Sequence, residues 1–154
     1  MTLYLLRHAM AVSRPSWEAG DHLRPLSRLG LRQAAALADL LADRPVARIS
    51  SSPYVRCTET VGPLAERRGI AVEESPALAE GAPLAGVLAL VGDLVGCDAV
   101  LCSHGDVIPV LLEHYASLGV DLGPEPACTK ASTWVITTNG SRIVSACYLR
   151  PPPG

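Results

Sequence analysis

The stretch Leu3-Tyr4-Leu5-Leu6-Arg7-His8-Ala9-Met10-Ala11 decides the fold and locates the candidate site. Its four apolar residues, 3–6, are typical of a short strand that is buried on both faces. Arg7 and His8 follow at once, so a cation and an imidazole are expected at the carboxyl edge of a sheet, where open α/β sheets bind ligands. Arginine there suits an oxyanion, because its planar guanidinium pairs with two oxygens at once. The adjacent histidine is a candidate base, ligand or nucleophile.

Two later junctions repeat this arrangement. The second strand, 46–49, runs into Ser50-Ser51-Ser52-Pro53, with the proline expected at the first helical position and Arg56 in the first turn. The fourth strand, 98–102, runs into Ser103-His104-Gly105. Parallel strands bring their carboxyl ends to one edge, where helix N-terminal amides also favour anions. The sequence therefore predicts a phosphate site that contains Arg7, His8, Ser51, Arg56 and His104.

The remaining segments complete an alternation of strands and helices. Residues 13–25 contain proline, glycine and charge, and are expected to form a loop over the end of the first strand. Ser27 is expected to cap a helix that reaches residue 43, and Gly69 to end the second helix. A third strand is expected at 70–72, followed by helices at 84–95 and 106–118, the latter bent near Pro109. Residues 132–138 and 142–148 alternate around Asn139-Gly140, which is typical of a β-hairpin.

This order predicts an α/β fold: a three-layer α/β/α sandwich with a mostly parallel central sheet and a C-terminal β-hairpin. The length of 154 residues predicts a single domain that spans residues 1–150 and is followed by a proline-rich tail at 151–154. Hydrophobic residues make up 49% of the chain and aromatic residues only 4%, without phenylalanine. The core is therefore expected to consist of leucine, valine, isoleucine and alanine.

The composition and the motifs of the chain exclude several classes of function. A net charge of −2 provides no basic footprint for nucleic acid, and the apolar runs are shorter than the ~18 residues of a membrane span. Five scattered cysteines without a C-x-x-C pair favour a reduced, cytoplasmic protein in which they are small core residues. The nucleotide-binding glycine motifs and the G-x-S-x-G elbow are missing. No arginine follows a cysteine by six residues, and no third ligand accompanies His8 and His104 for zinc.

Each site residue taken alone also has a structural interpretation. His8 could bond to a backbone carbonyl at the strand end. Arg56 could be a solvated helix arginine or an ion-pair partner, and His104 could cap a turn. His22 in its polar loop and His114 in mid-helix are expected to have no role in the site.

Taken together, the motifs resemble those of the histidine phosphatase superfamily, to which the phosphoglycerate-mutase-like enzymes belong. The resemblance covers almost the whole chain and rests on Leu6-Arg7-His8-Ala9, on Ser51-Ser52-Pro53 with Arg56 and Thr58-Glu59-Thr60, and on Ser103-His104-Gly105. Ala9 replaces the glycine of the commoner Arg-His-Gly form. With Arg24-Pro25-Leu26-Ser27-Arg28-Leu29-Gly30, the pattern looks most like the compact phosphohistidine-phosphatase branch. It is also similar to the phosphatase-like domain fused behind some Nudix hydrolases, although no Nudix box occurs here.

The resemblance implies a cofactor-independent, metal-independent phosphatase. His8 would attack phosphorus, and Arg7, Arg56 and His104 would surround the phosphoryl oxygens. The family places an acidic proton donor in the loop after the third strand, where Glu80 fits best. Glu73 and Glu74 directly follow the expected strand and are expected to be solvated.

The expected partner is a phosphorylated protein or a small phosphorylated substrate, with no nucleic acid and no membrane. Protein phosphohistidine is the favoured substrate. A phosphorylated metabolite or nucleotide is the alternative, and the short chain leaves residues 13–25 as the candidate lid. A mutase and a catalytically inactive phosphate-binding module are further alternatives.

Overall fold

The computed structural model describes residues 1–124 and 126–154 and contains a six-stranded sheet with helices on both faces. The strands are β1 (Thr2–Arg7), β2 (Arg48–Ser51), β3 (Val72–Glu74), β4 (Ala99–Ser103), β5 (Thr133–Asn139) and β6 (Arg142–Leu149). The helices are α1 (Arg28–Leu40), α2 (Val55–Arg68), α3 (Leu84–Leu94) and α4 (Val107–Ser117). The strand order is β3-β2-β4-β1-β5-β6. The four strands β1, β2, β3 and β4 pair in parallel, whereas β5 is antiparallel to both β1 and β6. The predicted fold class is confirmed.

The apolar run of β1 contributes to two cores, one on each face of the sheet. Tyr4 and Leu6 pack in the cluster that includes side chains of α1 and α2. Leu3 and Leu5 pack in the cluster that includes side chains of α3 and α4. Successive side chains of a strand point to opposite faces, so a strand covered on both sides is a continuous apolar run.

The register of the parallel strands brings the three junctions together. Arg7 pairs with Ser103 and Ser51 pairs with Cys102, so β1, β2 and β4 end side by side. The chain beyond each strand continues this pairing, because the amide of His8 donates to the Ser103 carbonyl at 3.1 Å. The predicted convergence at one edge of the sheet is confirmed.

The helix ends agree only in part with expectation. Ser27 caps α1, since its Oγ accepts from the amide of Gly30 at 3.1 Å, and Gly69 ends α2 with φ of +64°. The placement of Pro53 at the first helical position was wrong, because α2 begins at Val55 after an N-cap at Tyr54. The amide of Ser52 still donates to the Cys102 carbonyl of β4, at 2.9 Å, so the chain remains extended there and the helix begins later.

Four further details differ from expectation. α1 ends at Leu40 rather than at residue 43. β3 occupies Val72–Glu74 instead of 70–72, because the amide of Ile70 closes α2 on the Ala65 carbonyl. α4 is continuous, since Pro109 lies in its first turn, where a missing amide leaves no bond unmade. The hairpin turn is Gly140-Ser141, because Asn139 itself pairs with Arg142.

All five cysteines are free thiols, but they do not share one environment. Cys57 and Cys102 are fully buried, whereas Cys147 is exposed on β6, so the expectation of five core cysteines was wrong for Cys147. Edge strand β6 has no outer neighbour in the sheet to cover it. Across residues 1–124 and 126–154, no helix has the length and apolar character needed to cross a membrane.

Candidate active site

A cavity of about 500 Å³ opens near the carboxyl ends of β1 and β4. Its wall includes every predicted site residue except Ser51, namely Arg7, His8, Arg56, Glu80 and His104. Met10 to Arg14 and Arg24 add the segment that follows β1 and the end of the loop 13–25. The cavity therefore joins the three junctions and that loop in a single site.

His8 is held in an orientation that leaves one ring nitrogen free. Its Nδ1 lies 2.7 Å from the carbonyl oxygen of Ala9. A carbonyl only accepts, so Nδ1 carries the proton of the neutral ring and the lone pair is on Nε2. Burial lowers the pKa of His8 to about 3, helped by the nearby His104, Arg56 and Arg7 and opposed by the bond to Ala9. His8 is therefore a neutral imidazole near pH 7 with Nε2 available as a nucleophile.

Arg7 is fixed by contacts with two later segments. Its Nη1 donates to the Cys128 carbonyl at 2.6 Å. A Cβ on Gly105 would lie 2.6 Å from the Arg7 Cζ, so glycine is required there for the guanidinium to fit. Its Nε is buried and has no hydrogen-bond partner in the described chain. A buried donor without a partner is costly, and an anion in the cavity would satisfy it.

Arg56 is buried, with only 1% of its side chain exposed. Its Nη1 donates to the Asp21 carbonyl at 2.9 Å and its Nη2 to Asp21 Oδ2 at 3.1 Å. Its Nε has no partner among the described residues. Burial alone would raise the pKa of Asp21, but bonds from Arg24 and Arg56 outweigh it and hold that pKa at about 2. Arg56 is thus both an ion-pair partner and a donor at the cavity wall.

His104 faces His8, with their ring centroids 5.3 Å apart. Its Nε2 lies 2.8 Å from Ser52 Oγ and 3.5 Å from Cys57 Sγ. Its Nδ1 is buried without a partner in the part of the chain that the structure describes. A phosphoryl oxygen in the cavity could accept from this nitrogen.

The structure does not bring Ser51 to the cavity. Its side chain is fully buried, and its hydroxyl donates to the carbonyl of Ser52 at 2.8 Å. Ser52 contacts His104 instead. Neighbouring side chains of an extended segment point to opposite sides, so only one of the two serines can face the imidazole.

Glu80 lies in the cavity wall between two arginines. Its carboxylate is 3.5 Å from Arg56 and 3.5 Å from Arg14. The next amide, of Gly81, donates to Asp106 Oδ2 at 2.7 Å and ties this loop to the start of α4. Glu73 and Glu74 are exposed on β3, outside the cavity wall, as expected.

The sequence profile of the histidine phosphatase superfamily (branch 1) matches residues 3–83, more than half of the chain. The chain belongs to this superfamily. It is 31% identical over 98% of its length to a Mycolicibacterium smegmatis protein named 8-oxo-(d)GTP phosphatase, and it spans 48% of that relative's length.

Solved structures of phosphatases share the fold. The protein histidine phosphatase SixA, complexed with tungstate, superposes with a TM-score of 0.80 at 19% identity, covering 99% of this chain and 97% of SixA. A mycobacterial glucosyl-3-phosphoglycerate phosphatase in complex with VO3 superposes with a TM-score of 0.75 at 23% identity, and 96% of each chain is covered. At these identities the likeness describes the fold.

Four residues near the site of this histidine phosphatase superfamily member were not predicted as site residues: Asp21, Arg24, Ser52 and Lys130. Arg24 is buried, donates to Asp21 Oδ1 at 2.9 Å and to the Val12 carbonyl at 2.7 Å. The spacing of Asp21 and Arg24 was a usable signal, because oppositely charged residues three apart can pair within one turn. Lys130 had no such signal, since it enters the cavity wall from the segment before β5.

Proposed function

We propose that this protein is a metal-independent phosphatase that forms a phosphohistidine on His8. The observation that carries the proposal is the bond from His8 Nδ1 to the Ala9 carbonyl, 2.7 Å long. It leaves the lone pair on Nε2 in a cavity that is also lined by Arg7, Arg56 and His104. A fixed neutral imidazole beside fixed cations is what nucleophilic attack on a phosphoryl group requires.

The reaction consists of two displacements. Nε2 of His8 forms a bond to phosphorus while the bond to the leaving group breaks, and the leaving group takes a proton, for which Glu80 is the candidate donor. Water then attacks phosphorus and gives a proton to Glu80, which restores the donor, while the N–P bond breaks, its electron pair returns to Nε2 of His8, and phosphate leaves. Arg7, Arg56 and His104 stabilise charge on the phosphoryl oxygens in both steps. With two guanidinium groups and the N–H of His104 in these roles, the mechanism needs no metal ion.

Trapping the intermediate tests the nucleophile. Wild-type protein mixed with 32P-labelled substrate and denatured with alkaline SDS should retain acid-labile label on His8, and His8→Ala should retain none and lose turnover. EDTA should leave turnover unchanged. Label on His104, appreciable turnover by His8→Ala, or inhibition by EDTA that zinc or magnesium reverses would contradict the proposal.

The substrate that we propose is a small phosphorylated molecule. The cavity of about 500 Å³ has the size of small-molecule sites, and Asp21 fastens the loop 13–25 to Arg56 beside it. The relative named 8-oxo-(d)GTP phosphatase points in the same direction. Protein phosphohistidine, which the sequence favoured, stays the second candidate.

A substrate panel separates these candidates. A nucleotide, a sugar phosphate and a phosphohistidine peptide should be compared by kcat/KM, and the nucleotide or the sugar phosphate should be turned over faster than the peptide. A faster peptide reaction would restore the phosphohistidine hypothesis. Phosphate binding without turnover of any substrate would identify an inactive phosphate-binding module.

A further inference from the structure

The segment that precedes β5 is clamped onto the end of β1. The amide of Arg7 donates to the Ser132 carbonyl, and the amide of Ala131 donates to the His8 carbonyl, each at 3.1 Å. Ala131 is buried and adopts a φ of +66°, which is unfavourable for a residue with a Cβ. Surrounding structure must impose such a conformation, and it is common at functional sites. Lys130, one residue before, is thereby placed in the cavity wall.

Lys130 differs from three of the four arginines in the cavity wall, because like Arg7 it has no carboxylate partner among the described residues. Arg14, Arg24 and Arg56 each have a carboxylate within 3.5 Å. For the Lys130 ammonium, the described chain offers a contact with Met10 Sδ at 3.8 Å and no ion pair with a described carboxylate. Burial lowers the pKa of Lys130, and so do the charges of Arg7, Arg24, Arg56 and Arg14. A half-buried ammonium among arginines is unfavourable until an anion joins it.

Lys130 lies close to Arg7 and Arg56, the cations that would hold the transferred phosphoryl group. Lys130 lines the same cavity as Arg7, His8 and Arg56, and its ammonium contacts Sδ of Met10, two residues beyond His8, at 3.8 Å. An anion that pairs with Lys130 is therefore near the phosphoryl group, as the inner phosphate of a diphosphate is. We infer that Lys130 forms a second anion subsite, which binds the phosphate next to the transferred one, so that the substrate is an organic diphosphate. This inference rests on the proposed function, because attack by His8 defines which phosphate is transferred. The binding of anions to Lys130 does not depend on that attack.

Binding of inorganic anions tests the subsite without catalysis. Orthophosphate and pyrophosphate should be titrated calorimetrically into His8→Ala protein, in which hydrolysis is not expected, with and without Lys130→Met. We expect Lys130→Met to raise the Kd of pyrophosphate about tenfold, as the loss of one charged contact does, and to change the Kd of orthophosphate less than about twofold. Arg142→Met, which removes an exposed cation that is not part of the cavity wall, should change neither. Lys130→Arg should preserve pyrophosphate binding.

Turnover by protein that retains His8 identifies the kind of diphosphate that the subsite recognises. A nucleoside diphosphate, an alkyl diphosphate and a nucleoside monophosphate should be compared by kcat/KM in wild type and Lys130→Met. If Lys130→Met lowers kcat/KM for both diphosphates and not for the monophosphate, the subsite recognises the diphosphate group itself. If Lys130→Met lowers kcat/KM for the nucleoside diphosphate alone, the subsite serves nucleotide substrates.

Two results would overturn the inference. Equal weakening of orthophosphate and pyrophosphate would place Lys130 on the transferred phosphoryl group, and no weakening of either would remove it from anion binding. Failure of the His8 trap together with Lys130-dependent pyrophosphate binding would refute the proposed function and leave the subsite in place.

Discussion

At the scale of single residues, the contact with Ser52 favours the tautomer of His104 that carries its proton on Nδ1. Ser52 Oγ accepts from the amide of Tyr54 at 3.2 Å and lies 2.8 Å from His104 Nε2. With its acceptor capacity partly used, the hydroxyl is suited to donate to Nε2, which puts the ring proton on Nδ1, the nitrogen without a protein partner in the described chain.

Ser52→Ala should therefore lower kcat about tenfold or more, because a donor to the phosphoryl group is no longer held in place. Ser52→Thr should restore most of the loss, and KM should change less than kcat. Ser51→Ala is the matched control, since the hydroxyl of Ser51 donates to the neighbouring carbonyl of Ser52 and makes no other hydrogen bond with the described residues. A larger loss in Ser51→Ala than in Ser52→Ala would return phosphate contact to Ser51.

Glu80 makes a differential prediction as the candidate proton donor. Its carboxyl lies in the cavity wall, where a leaving group would be within its reach. Glu80→Gln should slow hydrolysis of an alkyl phosphate far more than that of p-nitrophenyl phosphate, whose leaving group needs no proton. Glu73→Gln, on exposed β3, should affect neither. Equal losses on both substrates would mean that Glu80 binds substrate or shapes the site instead.

At the scale of elements, the N-terminus of α1 is packed against the chain just beyond His8. The Met10 carbonyl accepts from the amide of Ser27 at 2.9 Å and from its hydroxyl at 3.2 Å. A Cβ on Gly30 would overlap the Met10 carbonyl oxygen. Gly30 is thus required by the close approach of α1 to the wall of the cavity.

Two glycine substitutions separate this approach from helix propensity. Gly30→Ala should lower the free energy of unfolding by about 1–3 kcal/mol, because α1 must move away from Met10. Gly62→Ala, in α2 with nothing within 4 Å of the added Cβ, should raise it by up to about 1 kcal/mol. Urea unfolding of both variants measures the difference. Equal effects would show that Gly30 makes no close contact.

At the scale of the whole molecule, burial of a neutral His8 makes stability depend on pH. The pKa of His8 is about 3 in the folded protein, below its ordinary value of 6.5. As the pH falls below 6.5 the unfolded chain binds a proton that the folded protein does not, so stability decreases until about pH 3. The slope for one such group approaches about 1.4 kcal/mol per pH unit.

Urea unfolding between pH 7 and pH 4 tests this dependence. Wild-type protein should lose stability with acid, and His8→Asn should lose distinctly less over the same range. Asp21, whose pKa is lowered to about 2, adds a loss only below pH 3.8, where the unfolded chain again binds the proton first. Identical slopes for wild type and His8→Asn would show that His8 titrates normally in the folded protein.

The sequence by itself determined the fold class, the hairpin and the edge of the sheet at which the site lies. Short apolar runs and helical periodicity are local signals, and the carboxyl ends of parallel strands must meet at one edge. Arg7, His8, Arg56 and His104 were found because each lies at a strand end or within a few residues after it. Glu80 was placed by family resemblance, and the structure puts it in the same cavity.

Which groups from distant segments meet at the site depends on the tertiary structure. Ser51 and Ser52 are equivalent by type and position, but alternation of side chains along an extended segment turns only Ser52 toward His104. Asp21 reaches Arg56 from a loop, and Lys130 reaches the cavity from the segment before β5. β3 shifted from 70–72 to Val72–Glu74, because a hydrogen bond at the end of α2 takes the amide of Ile70. The contacts of Ser52, Asp21 and Lys130 join segments that are distant along the chain, and no local pattern encodes them, whereas the start of β3 follows from the local hydrogen bond that closes α2.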